Sequence, residues 1–511
     1  MTAAHAPLTG VNRFIVTAAI AGAVFMQGLD AAIANVAIPA IAGDLGVSSS
    51  QGTWVITSFT VATAIALPLT GWLARRFGEV RLFTVCVLMF TLASWGCGMA
   101  QNVGALIVCR IVQGAFCGPL VPMSQTLLLS VFPAEKRGTA LAIWSTMALI
   151  GPVVGPVVGG WLTDNISWPW IFFINVPFGF LCVASFWPRM RARESAIVRQ
   201  PIDTVGLVLV VIGVGSLQLL LDQGRELDWF NSNEIVALAL IAAIALCALV
   251  IWELTEAHPI VDLQLFGQRN FAIGTLVASL TFMIYFASIV ILPLFLQTQL
   301  GYTATWAGLA TAPTSILSIA LMPFVGRYLY RIDARYFAMT SCLVFAFCFF
   351  WRARFTPQVD LYHILVPQVL QGMGTAFMFI PMTAVVFAGM KPEKMASAAG
   401  LSNFVRVLGN GFGASLATTL WDRRAIVHHA DLVERISDYN PVWTGLLERI
   451  PGDTLTAYAS VEQMIVNQSY ILSAVELFWL SAWIFLALIP FVWTTRPLNS
   501  AQAKPAVVAA E

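Results

Sequence analysis

Charge is what this sequence has least of. Only 10% of its 511 residues are Asp, Glu, Lys or Arg, against roughly 25% in a soluble chain. Water therefore cannot be its main solvent, and a hydrophobic fraction of 59% agrees. The net charge of +1 gives no general attraction for nucleic acid. There is no G-x-x-x-x-G-K-[ST] phosphate loop and no room for a nucleotide domain, which excludes ATP-driven work. The eight cysteines form no C-x-x-C pair and lie in apolar stretches, so they read as small packing residues. Histidine is scarce too. The adjacent His428 and His429 would point in different directions on a helix, a poor metal pair, and read as solvated surface. No metal, cofactor or catalytic constellation is expected.

What the chain has is apolar runs. A helix needs about 20 apolar residues to cross a bilayer core. Fourteen candidates fall near 13–38, 53–73, 81–100, 104–130, 138–162, 168–188, 204–222, 233–252, 271–296, 305–326, 334–351, 360–389, 397–420 and 469–493. The first is too long for a signal-peptide core and no cleavage site follows it, so it is expected to stay as a spanning helix. Most connections are short; 421–468 is long and polar enough for an external lobe. With both termini cytoplasmic, the inner segments hold eighteen of the 27 basic residues and the outer ones seven, Arg352 among them. That asymmetry predicts a multi-pass protein of the cytoplasmic membrane with both termini inside.

A shift of 258 residues lays Gln113-Gly114 on Gln371-Gly372, Glu135-Lys136 on Glu393-Lys394, and Gly151 and Gly155 on Gly409 and Gly413. One gapless offset thus carries helices 4 and 5 onto helices 12 and 13. The shift spans an even number of helices, so the copies run parallel, an architecture of transporters. The expected fold is all-α and membrane-integral, with two six-helix bundles and two inserted helices. The bundles are 1–203 and 253–511, the insert is 204–252, and the external loop 421–468 belongs to the second bundle. Such a fold places its substrate between the halves near the bilayer midplane.

Four ionisable residues fall inside spans: Asp30, Arg110, Arg406 and Glu476. Each costs at least about 2.5–3.5 kcal/mol at the bilayer centre, and such residues usually mark ion pathways. Asp30 precedes Pro39, the expected end of helix 1, by nine residues. That puts it about 13 Å from the outer face. A carboxylate there can switch between charged and neutral as water or a partner changes, so it is the expected proton carrier; a structural ion pair is the alternative. Arg110 keeps its charge and is expected to tune a carboxylate or relay movement, or else to tie down backbone carbonyls. Glu476 reads as a second proton site or an interfacial group. Arg406 is divided between the substrate path and structural pairing.

Helix 5 reads Gly151-Pro-Val-Val-Gly155-Pro-Val-Val-Gly159. Glycines four apart make a smooth face for a close helix, while Pro152 and Pro156 each remove a backbone donor. This doubled unit suits both tight packing and conformational change. Gln27, Asn35, Gln113, Gln125, Gln371 and Asn403 are polar groups in spans that line a cavity or bond helix to helix. Trp144, Tyr285 and Phe379 are candidates for an aromatic pocket, or else lie at lipid.

These motifs resemble the major facilitator superfamily, specifically its fourteen-helix drug:proton antiporters of the EmrB-type multidrug exporters. Leu29-Asp30-Ala-Ala-Ile-Ala-Asn35-Val-Ala-Ile-Pro39 is similar to that family's helix 1 motif. Arg110-Ile-Val-Gln113-Gly114 is similar to its helix 4 motif, and the G-P-V-V repeat to its helix 5 antiporter motif. Further likeness lies in Gln51–Phe59, Trp168–Pro177, Glu226–Phe230, Gly301–Ala310 and Leu401–Arg406. The resemblance implies proton-coupled export of hydrophobic small molecules from a bacterial inner membrane. It also implies two partners, a periplasmic membrane-fusion adaptor and an outer-membrane channel. One motif departs: in Gly71-Trp-Leu-Ala-Arg75-Arg-Phe-Gly78-Glu79, Arg75 replaces the usual Asp and Glu79 a usual basic residue. The swap keeps one charge of each sign four residues apart, which leaves room for a local pair and puts pairing with a neighbouring helix in doubt. A single-substrate antiporter for a fatty acid or toxin, a proton-coupled importer and a non-transporting sensor are the alternatives.

Overall fold

The structure is a computed structural model that describes residues 8–47, 49–133, 136–198, 201, 203–224, 227–257, 259–329, 331–434 and 454–497. Glu135 of the repeat, Glu226 of the quoted motif and 435–453 of the expected external loop lie outside the described residues. Every regular element among the described residues is helical. That is the outcome a bilayer imposes, because no water is present there to satisfy a free backbone.

The N-terminal elements are α1 (Gly10–Asp44), α2 (Ser49–Ala66), α3 (Thr70–Phe77), α4 (Glu79–Gly98), α5 (Val103–Val131), α6 (Arg137–Asn165), α7 (Trp170–Phe173) and α8 (Asn175–Met190). Next come α9 (Thr204–Gln223) and α10 (Asn233–Thr255). The C-terminal elements are α11 (Arg269–Thr298), α12 (Ala304–Thr311), α13 (Pro313–Tyr328), α14 (Ala334–Arg352), α15 (Leu361–Val386), α16 (Pro392–Glu434) and α17 (Thr454–Trp493). Asn102, Asp203, Asp333 and Asp360 start α5, α9, α14 and α15, each accepting a backbone N–H of the first turn.

Twelve helical segments are long and apolar enough to cross a membrane, and α2 with α3 makes thirteen if that pair, bent by 63°, is one span. The bend falls at Leu67–Leu69, where Pro68 has no N–H to continue the ladder. The segment expected at 397–420 lies within α16, whose many polar residues keep it below the hydropathy of the others.

Three expectations about helix ends are corrected. Helix 1 does not stop at Pro39 but continues to Asp44. Pro39 lies inside the helix, and its missing N–H does not end it there. Second, the stretch 421–468 is not simply a loop. α16 runs to Glu434 and α17 starts at Thr454, so both are continuous helices through most of it. At 43 and 40 residues, they are about 60 Å long, twice a bilayer core. Third, Arg352 is not in an outer loop; it ends α14 and is fully buried.

Helix packing divides into two sets. α1 lies on α6 and α8, and α5 lies on α2 and α4. In the second set α11 lies on α16, and α14 on α15 and α17. α9 and α10 pair with each other, and α9 also touches α2 and α16. The sets meet through α6 on α13 and α3 on α16. Gly138 and Gly326 face each other so closely that neither has room for a Cβ, and Gly71 is held as tightly against Ser397. Lys394 and Asp262 are ion-paired at 2.8 Å beside this seam. The Gly138, Gly71 and Lys394 contacts lie at the end whose loops are richest in basic residues, and the two sets are closed there.

Candidate functional site: a buried charge cluster and an aromatic seam

Asp30 and Arg110 are both buried, at 0% and 1% exposure, and their side chains pair at 2.8 Å. The pair is built from several helices. Arg110 Nη1 also donates to Gln113 Oε1 at 2.8 Å, and Nε donates to the Val55 carbonyl at 3.0 Å. Gln113 Nε2 and Asn175 Nδ2 both donate to Asp30 Oδ1, at 2.9 and 2.8 Å. Asn175 donates as well to Ser94 Oγ at 3.1 Å, and Ser94 donates to the Phe172 carbonyl. The guanidinium carbon lies 4.1 Å from the Phe59 ring centre, a cation–π contact that offsets part of its desolvation. Removing one member of such a buried pair costs about 3–5 kcal/mol.

The glycine face of α6 seats α1 beside this cluster. A Cβ at Gly151 would come within 2.7 Å of the Phe25 carbonyl and 2.8 Å of the Leu29 N–H. At Gly155 it would meet Ala32 at 2.9 Å and the Leu29 carbonyl at 3.1 Å, and Gly159 is as tight against Ile33. Pro152 and Pro156 are on the exposed side of the same helix. The two helices thus touch backbone to backbone at the turn that carries Asp30.

A second group lies between the two sets of helices. Trp144 stacks on Phe379 with centroids 5.7 Å apart, and Phe282 meets Phe379 edge-on at 5.1 Å. Trp144 is held by its indole N–H donating to Ser124 Oγ at 2.8 Å. Arg406 lies 5.1 Å from the Phe379 ring and bonds Asn403, which donates to Gln125 Oε1 at 3.3 Å. Tyr285 joins through Phe282, 6.2 Å away. This seam carries aromatic faces, amides and one guanidinium, with Ser124, Gln125 and Trp144 from one set and the rest from the other.

Some expected residues do not join either group. Glu476 is 41% exposed and pairs with Arg424 at 2.7 Å and His428 at 3.1 Å on α16. Those partners also replace the expected free solvation of His428. Asn35 is exposed, and Gln27 faces Cys117 rather than Asp30. The local pair left open for Arg75 with Glu79 gives way to a contact across the seam. Arg75 Nη1 donates to Ser397 Oγ on α16 at 2.9 Å. Gly78 takes φ +88°, a left-handed conformation that favours glycine. That turn lets Glu194 accept the N–H groups of Val80 and Arg81, each at 2.9 Å, at the start of α4.

The residues missed from sequence are Asn175, Ser94, Phe59, Phe282 and a second cluster, of which the sequence singles out Gln371 alone and places it instead on the substrate path. Arg352 Nη1 donates to Ser288 Oγ at 2.9 Å, and Nη2 is bonded by both Gln368 Oε1 and Gln371 Oε1. The 258-residue offset pairs Asp30 with Ser288, Ser94 with Arg352, Arg110 with Gln368 and Gln113 with Gln371. Applied to the charged residues as well as to the glycines, the offset marks this cluster in the sequence.

A profile of the Major Facilitator Superfamily matches residues 20–414. The chain belongs to that superfamily. It is a multi-pass membrane transporter, not an enzyme. It is 51% identical over 496 residues to the multidrug export protein EmrB of Haemophilus influenzae, covering 96% of this chain and 97% of that one. It is 49% identical over 495 residues to EmrB of Escherichia coli K12, with the same coverage. It is 46% identical over 499 residues to the fatty acid resistance protein FarB of Neisseria gonorrhoeae, covering 96% and 98%. The fold is similar to that of the proton:xylose symporter XylE, with TM-score 0.59 at 14% identity over 95% of this chain and 96% of that one. It is also similar to the human organic anion transporter MFSD10, with TM-score 0.61 at 11% identity over 95% and 100%.

Proposed function

We propose that this superfamily member exports hydrophobic small molecules from the cytoplasm in exchange for protons. The observation that carries the reading is the fully buried Asp30–Arg110 pair, whose acid stands on the helix seated against the glycine face of α6. A proton that reaches Asp30 from outside neutralises it and releases it from Arg110. The cluster then loses its attraction, and α1 can move against α6 while the seam opens to the other side. Each proton crossing 100 mV supplies about 2.3 kcal/mol. Cargo binds in the aromatic seam of Trp144, Tyr285 and Phe379, beside Gln125, Asn403 and Arg406. Near-identical coverage of the two EmrB proteins supports multidrug export.

In this reading residues 1–203 and 253–511 are the two rocking bundles and 204–252 the insert. Both termini face the cytoplasm, and the closed end is the cytoplasmic one. The helical extensions of α16 and α17 point outward, where they contact a periplasmic adaptor that leads to an outer-membrane channel.

The test is pH-driven uphill export in proteoliposomes. Asp30→Asn is expected to abolish it. Because that variant leaves Arg110 unpaired, Asp30→Asn/Arg110→Gln removes both charges and is expected to fold while moving no protons. Uphill export by a folded double variant sinks the coupling role of Asp30. A second reading, a single amphipathic acid as cargo, is favoured by the likeness to FarB. Export of fatty acids alone from a ligand panel would select it.

A further inference from the structure

Four positions of the Asp30 cluster recur in the other half with their chemistry rearranged. Asp30 is replaced by Ser288, Arg110 by Gln368, and the guanidinium stands on the neighbouring helix, where Arg352 replaces Ser94. The two halves are therefore alike in geometry and unlike in charge. In one, Arg110 faces a carboxylate at 2.8 Å. In the other, Arg352 faces a hydroxyl and two amides, and no carboxylate among the described residues pairs with it.

Arg352 is 0% exposed, and its Nε–H has no acceptor. A guanidinium has five N–H donors and keeps its charge. Neutral acceptors share the donors but leave the positive charge uncancelled in a medium of low dielectric. A buried ion of that kind calls for an opposite charge. The three neutral groups suit an incoming anion. A glutamine that turns its amide offers N–H in place of oxygen, and a serine hydroxyl rotates to donate. All four side chains can then donate to one anion, which a carboxylate at position 288 would repel.

We propose that Arg352, with Ser288, Gln368 and Gln371, binds one monovalent anion. That anion supplies in the C-terminal half the negative charge that Asp30 supplies in the N-terminal half. Two sources share this chemistry: a small inorganic anion such as chloride, and the carboxylate of an amphipathic cargo molecule. Only the second rests on the export reading; binding is measured without transport, so failure of either is seen separately.

The experiment is thermal unfolding of the purified full-length chain in detergent, in sodium gluconate at constant ionic strength. Chloride is titrated in one arm and octanoate, below its micelle concentration, in the other, with octanol as the uncharged control. A saturable rise in the unfolding midpoint is expected in at least one arm. Chloride alone assigns an inorganic ion; octanoate with silent octanol assigns a cargo carboxylate. Ser288→Asp provides the missing charge from within, so it is expected to raise the midpoint in gluconate alone and to weaken the response to chloride or octanoate at least tenfold. Arg352→Gln is expected to lose the response as well. The absence of a saturable shift in both arms, or an undiminished shift in these variants, overturns the proposal.

Discussion

At the scale of single residues, the contrast between Asp30 and Glu476 shows why an acid in a span is not always equivalent. Both occur in apolar runs. Asp30 is enclosed by Arg110, Gln113 and Asn175, whereas Glu476 is 41% exposed beside Arg424. Exposed ion pairs of that kind contribute 0–1 kcal/mol at most, by a rough median. Glu476→Gln is therefore expected to leave the pH dependence of export unchanged, as read by vesicle transport at several pH values. Asn175→Ala removes the donor shared by Asp30 and Ser94. Leaving buried acceptors short of a donor costs about 1–3 kcal/mol. A lower unfolding midpoint and slower export are expected, with wild-type folding otherwise by circular dichroism.

Among elements, α1 and α6 meet with no room for one added methyl group. Gly155→Val would push Ala32 and the Leu29 carbonyl of α1 away from α6. Overpacking of a tight contact costs about 1–3 kcal/mol, here at the turn that carries Asp30. Reduced stability and loss of export are expected together. Gly308→Ala on α12 is the control, since nothing lies within 4 Å of the added Cβ. It is expected to leave both unchanged. The bend between α2 and α3 belongs to this scale as well. The sequence predicts one span there, and Pro68 indicates only that a break is possible. The 63° angle follows from where α3 packs, on α16 and α4.

For the whole molecule, the closed end depends on a few close approaches: Gly138 with Gly326, Gly71 with Ser397, and Arg75 with Ser397. Gly138→Val is expected to push that end open. Distances between spin labels at the ends of α6 and α13 would lengthen, and cargo release on the opposite side would slow. Unchanged distances would exclude this seam as the closure.

Much of this protein was legible in its sequence. Long unbroken apolar runs and the scarcity of charge determine a helical membrane protein, because the strands of a spanning barrel alternate apolar and polar residues. Periodic glycines mark α6 as a helix that packs closely, while its partner α1 is named only by the fold. The buried acid and arginine stand out because lipid makes each of them costly alone. What the tertiary structure decided is which groups meet. Asn175 and Ser94 are ordinary polar residues until the fold brings them to Asp30 from other helices. Arg352, adjacent to a polar turn, reads as a loop residue until its side chain is seen folded into the bundle. Arg75 has Glu79 four residues away, yet bonds Ser397, 322 residues distant. Local spacing fixes which partners a side chain can reach along its own helix. Only packing between helices fixes the partners it meets across one.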